Sequence, residues 1–323
     1  MFFMNSQHML ASFSFSGVMD VLADVMITME TDESSLTVPL RTSVFREENT
    51  LMLMPCLSTP DWGLKILSLY PGNPQKQKPF LNGVFLLLDG EDGHPSALLD
   101  GRTLTALRTG GVGGLAVRTL SDQDAARLGI AGTGVQGYWQ VRFACSVRPF
   151  SMVTLHDTIF SKAQDFADQL KKDLPGTEIR VARDSTDLLE SSDVVMTATN
   201  AQVPLFPDVP KLFEGKTFVG IGSYRPDMRE YPDALFKVIP SIIVDTEHAL
   251  SETGDLMDPL DSGVLKKEAV TPLGKILSGG SDLPAPGSGV FFKSVGFAAF
   301  DLAAARYLVK EGKTSGKGLE LDL

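Results

Sequence analysis

The sequence predicts an α/β protein with two domains, a central doubly wound domain and a sheet-rich α+β domain. From residue 126 onward, short apolar runs alternate with helix-compatible stretches, which is typical of a parallel sheet covered by helices. Before residue 100, strand-like runs instead follow one another with turn residues between them, as in Gly90–Gly93. The length of 323 residues agrees with about two domains.

The N-terminal part, up to about residue 100, is predicted to form a mostly antiparallel sheet with a flanking helix. Apolar residues between Val18 and Met29 recur at the helical period and predict a packing helix over 17–30. A further helix is predicted over 103–120, where several glycines permit close packing. Even-step spacing and short apolar runs predict strands over 36–45, 51–57, 64–70 and 84–89.

The central part alternates between strands and helices. Its predicted strands are 128–131, 151–156, 178–182, 193–197, 217–221 and 241–245. Its predicted helices are 135–147, 160–173 and 185–191. An amphipathic helix over Phe297–Glu311 has no strand partner left in this part, so we place it on the first domain. The predicted domains are therefore 120–289 and, from both chain ends, 1–119 with 290–323.

A glycine-rich turn links the first predicted strand and helix of the central domain. Gly132, Gly134 and Gly137 have the GxGxxG spacing, with Val135 and Gln136 at the predicted start of the helix. In such a turn, the first glycine allows a tight bend and the second lets the backbone approach a pyrophosphate. The third lets the helix pack closely on its strand, with N–H groups facing the phosphates. The turn therefore predicts a Rossmann-type domain that binds a dinucleotide.

An acidic residue ends the second strand of this domain. Asp157 follows Gly132 by 25 residues, near the offset of about 20 at which an acid binds the ribose hydroxyls of NAD. A carboxylate there repels the 2′-phosphate of NADP, and no arginine follows it directly. The alternative is that Asp157 only caps the helix region 161–170. We predict NADH as the cofactor, with NADPH as the alternative.

The composition excludes several classes of partner. A net charge of −11 argues against nucleic acid or an anionic membrane surface. No apolar run approaches the roughly 18 residues of a membrane span, and the N-terminus lacks the pattern of a signal peptide. The two cysteines, Cys56 and Cys145, give no disulfide framework and favour a reducing, cytoplasmic compartment. The four histidines have no ligand spacing, so we predict no metal site.

Three cationic residues of the first domain lie within or next to apolar segments that are predicted to form strands or a helix. They are Arg41, Lys65 and Arg108. A charge within such sequence is costly unless it is paired or binds an anion. Lys65 or Arg41 taken singly could instead lie on an exposed outer face of a strand. Together they predict a carboxylate site, because arginine offers bidentate geometry and lysine a point charge.

Several blocks along nearly the whole chain resemble the ornithine cyclodeaminase/mu-crystallin family. The most specific are the segment LTALRT over 104–109 and the segment RPD over 225–227. The others are VPLRTSV over 38–44, LMPCL over 53–57, GLKILSLYPGN over 63–73, GTGVQG over 132–137 and KSVG over 293–296.

The resemblance implies a subunit that forms a homodimer through its sheet-rich domain and binds a nicotinamide cofactor on its central domain. It implies an active site in the cleft, where Arg41, Lys65 and Arg108 grip the substrate carboxylate. It further assigns Asp157 to the ribose of the cofactor. Residues that it places at the cofactor phosphate or along the cofactor cleft are Thr109, Thr197, Thr199, Ser223 and the pair Lys293-Ser294.

Two departures from the family pattern bear on the reaction. Ornithine cyclodeaminases have acidic residues where this chain has Met52 and Tyr224, so the candidates for handling the ornithine amine are missing. We therefore predict an NAD(P)H-dependent reductase of a cyclic ketimine, Δ1-pyrroline-2-carboxylate or Δ1-piperideine-2-carboxylate, which gives L-proline or L-pipecolate. Lys65 and Arg108 are the predicted catalytic residues, and Met52 is predicted to contact the substrate ring. The alternatives are reductive amination of a 2-oxo acid, as in alanine dehydrogenases, the disfavoured cyclodeaminase, and a ligand-binding protein like mu-crystallin.

Overall fold

The computed structural model describes residues 1–322. Its α-helices are α1 Ser6–Leu10, α2 Phe15–Thr31, α3 Gly101–Leu120, α4 Val135–Val147, α5 Phe160–Asp173, α6 Ser185–Glu190, α7 Asp233–Val238, α8 Gly254–Asp261, α9 Leu273–Leu277 and α10 Ala298–Ser315. Its strands are β1 Phe2–Met4, β2 Leu36–Thr37, β3 Thr42–Arg46, β4 Asn49–Ser58, β5 Asp61–Leu69, β6 Leu81–Asp89, β7 Pro95–Asp100, β8 Arg127–Ala131, β9 Met152–His156, β10 Glu178–Val181, β11 Val194–Thr197, β12 Thr217–Gly220, β13 Ser241–Val244, β14 Val270–Pro272, β15 Val290–Lys293 and β16 Leu319–Glu320.

The chain divides into two compact units. The first contains residues 1–108 and the chain from Phe297 onward, and the second contains Thr109–Gly296. The predicted boundaries after residues 119 and 289 differ from this division. One division point lies within α3, which is a single continuous helix over Gly101–Leu120. The other lies after β15, because this strand pairs with β12 and β13 of the second unit and not with the first sheet.

The first unit contains a mostly antiparallel sheet, as the sequence predicts. The strand order is β16-β1-β7-β6-β5-β4-β2, with β3 also paired to β4. Only β1 and β7 run parallel among the paired strands of residues 1–322 in this sheet. The single strand predicted over 36–45 is wrong, since it is divided into β2 and β3. Pro39 lies in the break, where its missing N–H cannot contribute to a strand ladder.

The two faces of this sheet differ in exposure. Along β4 and β5, buried residues alternate with partly exposed ones, as the two-residue period of a strand requires. The inner face carries Met52, Met54 and Lys65, and helix α10 packs against β4, β5 and α2. The outer face is apolar but partly exposed, with Trp62 and Val84 exposed by 41% and 38%. Helices thus cover the inner face of the sheet, whereas its outer face is open to solvent in the single chain.

The second unit contains an entirely parallel sheet along its described strands. Its order is β10-β9-β8-β11-β12-β15-β13-β14. The six predicted strands of this part are confirmed to within a residue at each end, and helices α4 and α5 begin and end where predicted. The sequence analysis missed β14 and β15, which interrupt or follow the Gly- and Pro-rich passage. Strand β15 lies between β12 and β13, so the carboxyl end of the sheet includes Lys293.

Candidate functional site

Lys65 and Arg108 are brought together by one carboxylate of the first unit. Lys65 is fully buried at the centre of β5, and its Nζ donates to Asp301 Oδ2 at 2.6 Å. Arg108 is 7% exposed on α3, and its Nε donates to Asp301 Oδ1 at 3.0 Å. Asp301 is fully buried in the first turn of α10. The two predicted cations therefore belong to one buried cluster, and the alternative of an exposed Lys65 is wrong.

The charge of this cluster is unbalanced in favour of the cations. Burial lowers the pKa of Lys65 from its ordinary value to about 8, because removal from water penalises the charged ammonium. The Asp301 carboxylate counteracts this shift, whereas the charges of Arg108 and Arg41 strengthen it. Arg41, which is partly exposed just before β3, is therefore close enough for its charge to act on Lys65. Two buried cations, Lys65 and Arg108, on the one Asp301 carboxylate favour the binding of a further anion.

Met52 lies on the same face of the sheet as Lys65. It is 8% exposed on β4 and pairs with Leu67, two residue pairs along the β4–β5 ladder from the Met54–Lys65 pair. Its thioether side chain adds an apolar surface to the neighbourhood of the cations. A mixed apolar and cationic environment suits a small ring that carries a carboxylate.

The glycine-rich turn has the shape that a dinucleotide needs. Gly132 has a φ of +97°, and a Cβ there would meet the Ala198 carbonyl oxygen at 2.5 Å. A Cβ on Gly137 would lie 2.0 Å from the Gly132 carbonyl oxygen, so the start of α4 packs directly on the turn. Helix α4 begins at Val135 after Gly134, which has no atom within 4 Å of its missing Cβ. The start of α4 therefore has open space beside Gly134, where the phosphates of a dinucleotide can approach the backbone.

Two buried polar atoms favour a bound cofactor, one on Gln136 in the turn and one on Thr109, whose carbonyl oxygen accepts from Gln140 of α4 at 2.9 Å. Thr109 Oγ1 and Gln136 Oε1 are among the buried side-chain atoms of residues 1–322 that have no hydrogen-bond partner. A buried polar atom without a partner is costly unless a ligand supplies one. Because Gly134 also leaves room for a pyrophosphate, the residues of this turn fit a nicotinamide dinucleotide.

Asp157 lies at the end of β9 beside the turn. Its Oδ2 accepts hydrogen bonds from the Thr133 amide at 3.1 Å and the Thr133 hydroxyl at 2.7 Å. Its Oδ1 accepts from the Ile159 amide at 3.0 Å. Partial burial alone would raise the pKa of Asp157. These hydrogen bonds have the larger effect and hold the pKa below its ordinary value. The carboxylate therefore stays ionised at neutral pH and is oriented by the turn itself.

The predicted cleft residues Thr197, Thr199 and Ser223 converge on a carboxylate that the sequence analysis did not identify. Glu230 is fully buried and accepts from the Thr197 hydroxyl and from the Thr199 amide and hydroxyl, each at 2.8 Å. It also accepts from the backbone amides of Gly222 and Ser223, at 2.9 and 3.2 Å. The Ser223 hydroxyl donates to the Met228 carbonyl oxygen at 2.6 Å. Glu230 thus fastens the loops that follow β11 and β12.

Lys293 and Ser294 are held in a similar way after β15. Lys293 is fully buried, and its Nζ donates to Asp255 Oδ2 at 2.8 Å and lies 3.9 Å from Glu230. The Ser294 hydroxyl donates to Asp245 Oδ2 at 2.6 Å. Burial raises the pKa of Asp245 and that of Glu230, although hydrogen bonds to the first and the charge of Lys293 near the second oppose the shift. The hydroxyls of these predicted cofactor residues therefore donate within the protein, and their contact with a cofactor stays a prediction.

Asp301 and Glu230 bind several predicted site residues, and the sequence analysis missed both of them. Asp301 follows Phe297 by four residues and so lies on the apolar stripe of the last helix, where an acid is unexpected. That position was a signal for a buried ion pair. Glu230 lies in an irregular segment, and no spacing in the sequence points to its partners. Among the described residues, no cluster of three or more potential ligands is arranged for a metal ion, and no helix is long and apolar enough to cross a membrane.

Comparison with known proteins finds relatives along nearly the whole chain. The chain is 34% identical to a Δ1-pyrroline-2-carboxylate reductase of Bacillus cereus over 88% of this chain and 89% of that protein. It is 31% identical to the ketimine reductase mu-crystallin of Rattus norvegicus over 86% of each. The structure of Thermococcus litoralis Δ1-pyrroline-2-carboxylate reductase in complex with NADH and L-proline superimposes with a TM-score of 0.92 at 27% identity, covering 99% of this chain and 100% of that one. The sequence profile of the ornithine cyclodeaminase/mu-crystallin family matches residues 11–317, and the chain belongs to that family.

Proposed function

We propose that the protein reduces a cyclic ketimine carboxylate with NADH, converting Δ1-pyrroline-2-carboxylate to L-proline or Δ1-piperideine-2-carboxylate to L-pipecolate. The observation that carries this proposal is the buried cluster in which Lys65 and Arg108 share the Asp301 carboxylate. The reductase names of the relatives, and the NADH and proline bound to the Thermococcus litoralis enzyme, support the same reaction. The predicted enzyme class, an NAD(P)H-dependent oxidoreductase acting on a C=N bond, agrees with the names of these relatives.

The residues of the first unit account for substrate binding. The Arg108 guanidinium, with its Nε on Asp301, keeps its terminal nitrogens for the substrate carboxylate. Arg41 adds a second positive charge, and Met52 adds an apolar contact for the ring. Holding a small acid by its carboxylate orients its C=N carbon, which is a large part of what an enzyme contributes to such a reaction.

The proton of the reaction is assigned to Lys65. When bound, NADH supplies the hydride that the ring carbon accepts. Lys65 Nζ has three N–H bonds, one of which is directed to Asp301, so others remain for the imine nitrogen or the carboxylate. With a pKa near 8, Lys65 holds its proton at neutral pH and can keep the imine nitrogen protonated. The Gly132–Gly137 turn, Thr109 and Asp157 would hold the cofactor.

A direct assay tests the proposed function. Purified protein is mixed with NADH and either cyclic ketimine, and the absorbance of NADH at its long-wavelength band is followed. Faster consumption of NADH with pyruvate and ammonium would favour reductive amination of a 2-oxo acid. Binding of NADH without turnover of any imine would favour the ligand-binding alternative. Cyclodeamination of ornithine is disfavoured, because Met52 and Tyr224 replace the two acidic residues that ornithine cyclodeaminases have at these positions.

Replacing Asp157 with alanine is expected to weaken NADH binding about tenfold and to reduce the preference for NADH over NADPH. The reason is the loss of charge-assisted hydrogen bonds to the ribose and of the repulsion of the 2′-phosphate. Fluorescence titration with both cofactors measures the two dissociation constants. Asp168→Ala, which removes an exposed carboxylate paired to Lys171, is the control. If Asp157 only braces Thr133 and Ile159, both cofactors will weaken equally and the ribose role fails.

The homodimer is proposed to form through the outer face of the first sheet. Cross-strand neighbours on this face include Leu53, Ile66 and Val84, which continue from β4 through β5 to β6. A broad, partly exposed apolar sheet face of this kind is typical of a surface that a second subunit covers. A cytoplasmic location is proposed on the composition alone.

Introducing a charge at Val84 is expected to break this dimer. Val84→Glu places a carboxylate in the middle of the apolar face. The free-energy cost of burying this charge exceeds the binding free energy that the apolar contact provides. Light scattering coupled to gel filtration is expected to show a dimer for the wild type and a monomer for the variant. Val203→Glu, at a more exposed valine of the second unit, is the control and should remain dimeric. A dimeric Val84→Glu protein would remove this face from the interface.

A further inference from the structure

Asp301 is the common partner of the two buried cations. Its Oδ2 accepts from Lys65 on β5, and its Oδ1 accepts from Arg108 on α3, at 2.6 and 3.0 Å. Three separate segments of the first unit therefore meet at one carboxylate that is fully buried. Each carboxylate oxygen serves one cation, so neither cation can move without losing its own hydrogen bond to Asp301.

The position of Asp301 in its helix suits a buried negative charge. It lies in the first turn of α10, where the unsatisfied amides and the helix dipole favour an anion. Without this anion, Lys65 and Arg108 would be two positive charges inside the protein with no compensation, which is strongly unfavourable. With it, the pair carries a single excess positive charge. That excess matches a substrate with one carboxylate.

The way Arg108 uses its guanidinium leaves a defined part of it available. Within residues 1–322, its hydrogen bond to a carboxylate is made by Nε, and the terminal nitrogens make none. An arginine fixed through Nε has its plane set, and its two terminal N–H groups then form a fork that fits a second carboxylate. Lys65 is fixed in the same way by one of its three N–H bonds.

We propose that Asp301 is a positioning residue of the reductase, which holds Lys65 and Arg108 in the arrangement that captures the substrate carboxylate. This inference rests on the proposed function. Asp301 acts through the two cations and does not itself touch the substrate. Its carboxylate also keeps Lys65 charged, because the nearby anion stabilises the ammonium.

Kinetics of Asp301→Asn test the inference. The amide can accept from one cation but directs an NH₂ group toward the other, so the KM for the cyclic ketimine is expected to rise at least about tenfold. The dissociation constant of NADH should stay within about twofold, since the hydrogen bonds of Asp301 go to the two cations and not to a residue assigned to the cofactor. Loss of the carboxylate should also move the alkaline limb of kcat/KM from near pH 8 to lower pH by about one unit. A role in folding alone would not shift that limb.

Two further variants keep the test decisive. Asp61→Asn is the matched control, because it removes a carboxylate that binds Arg306 of the same helix at 2.8 Å. It is expected to lower the melting temperature without changing KM or the alkaline limb. Asp301→Glu retains the charge with one extra methylene. It should keep the limb near pH 8 and raise KM severalfold, and it carries the test if Asp301→Asn does not fold.

Calorimetric titration with pyrrole-2-carboxylate in the presence of NADH separates this inference from the proposed function. This planar, non-reducible acid offers the same carboxylate without turnover. Weaker binding to Asp301→Asn than to the wild type is expected, and it supports the inference even if no imine is reduced. Equal binding by both, or an unchanged KM in a wild type and variant that do reduce the imine, overturns the role of Asp301 alone. Absence of both turnover and binding in the wild type overturns both proposals.

Discussion

Replacing Arg108 with alanine is expected to raise the KM for the cyclic ketimine about 100-fold, which corresponds to roughly 3 kcal/mol of lost binding free energy. The substitution removes the guanidinium fork and leaves Asp301 with Lys65 as its remaining partner in the cluster. Truncating one member of a buried, hydrogen-bonded charge group costs about 2–5 kcal/mol, so a smaller effect would not fit a buried substrate clamp. Steady-state kinetics over a range of imine concentrations measure the change.

The cofactor and a neighbouring arginine provide the controls for this result. NADH affinity, measured by fluorescence titration, is expected to stay within about twofold, because the Arg108 side chain bonds to Asp301 and not to a residue assigned to the cofactor. Arg102→Ala removes an exposed arginine from the same helix and should leave KM unchanged. Unaltered kinetics in the Arg108→Ala protein would take Arg108 out of the substrate site. The proposal that the glycine-rich turn holds the cofactor does not depend on that outcome.

The second unit was the part of the fold that the sequence predicted best. Its strands are short apolar runs between turn residues, and its helices α4 and α5 have clear starts and ends, so local pattern was sufficient. The glycine turn was equally readable, because Gly132 and Gly137 are required by backbone conformation and close packing. Such requirements act on neighbouring residues in the chain, and a single sequence contains them.

The rest of the site depends on contacts between distant parts of the chain. Asp301 meets Lys65 across 236 positions and Arg108 across 193 positions, and no local pattern encodes such a pairing. Strand β15 enters the sheet between β12 and β13, an order that neither its length nor its composition determines. The cations could be predicted because a charge in apolar sequence is costly. Their shared anion could not, since which acid meets them is decided by the tertiary fold.

Removing the Lys65 ammonium is expected to have a larger effect than removing Arg108. Lys65→Met keeps an unbranched side chain of similar length. It eliminates a hydrogen-bond donor to the substrate carboxylate and the proton assigned to the imine nitrogen. It also leaves Asp301 with Arg108 as its remaining partner in the cluster. We expect kcat/KM for the imine to fall about 1,000-fold, roughly 4 kcal/mol, with NADH affinity retained. Retention of more than about a tenth of the wild-type kcat/KM would contradict the assigned role.

The pH dependence of activity identifies Lys65 more directly. Because burial lowers its pKa to about 8, the ammonium is lost as the pH rises through that value, and kcat/KM is expected to decline above pH 8. Stability should change in the opposite direction, since between about 8 and the ordinary 10.5 the unfolded chain binds the Lys65 proton more tightly than the folded protein does. A decline in activity without a decline in melting temperature therefore excludes alkaline unfolding as the cause.

The Lys65→Arg protein, in which residue 65 stays charged, should lose this alkaline limb of kcat/KM. Lys216→Arg, at a half-buried lysine bonded to the Ser192 carbonyl, should keep it. A limb that persists near pH 8 in the Lys65→Arg protein would assign that ionisation to the substrate imine instead.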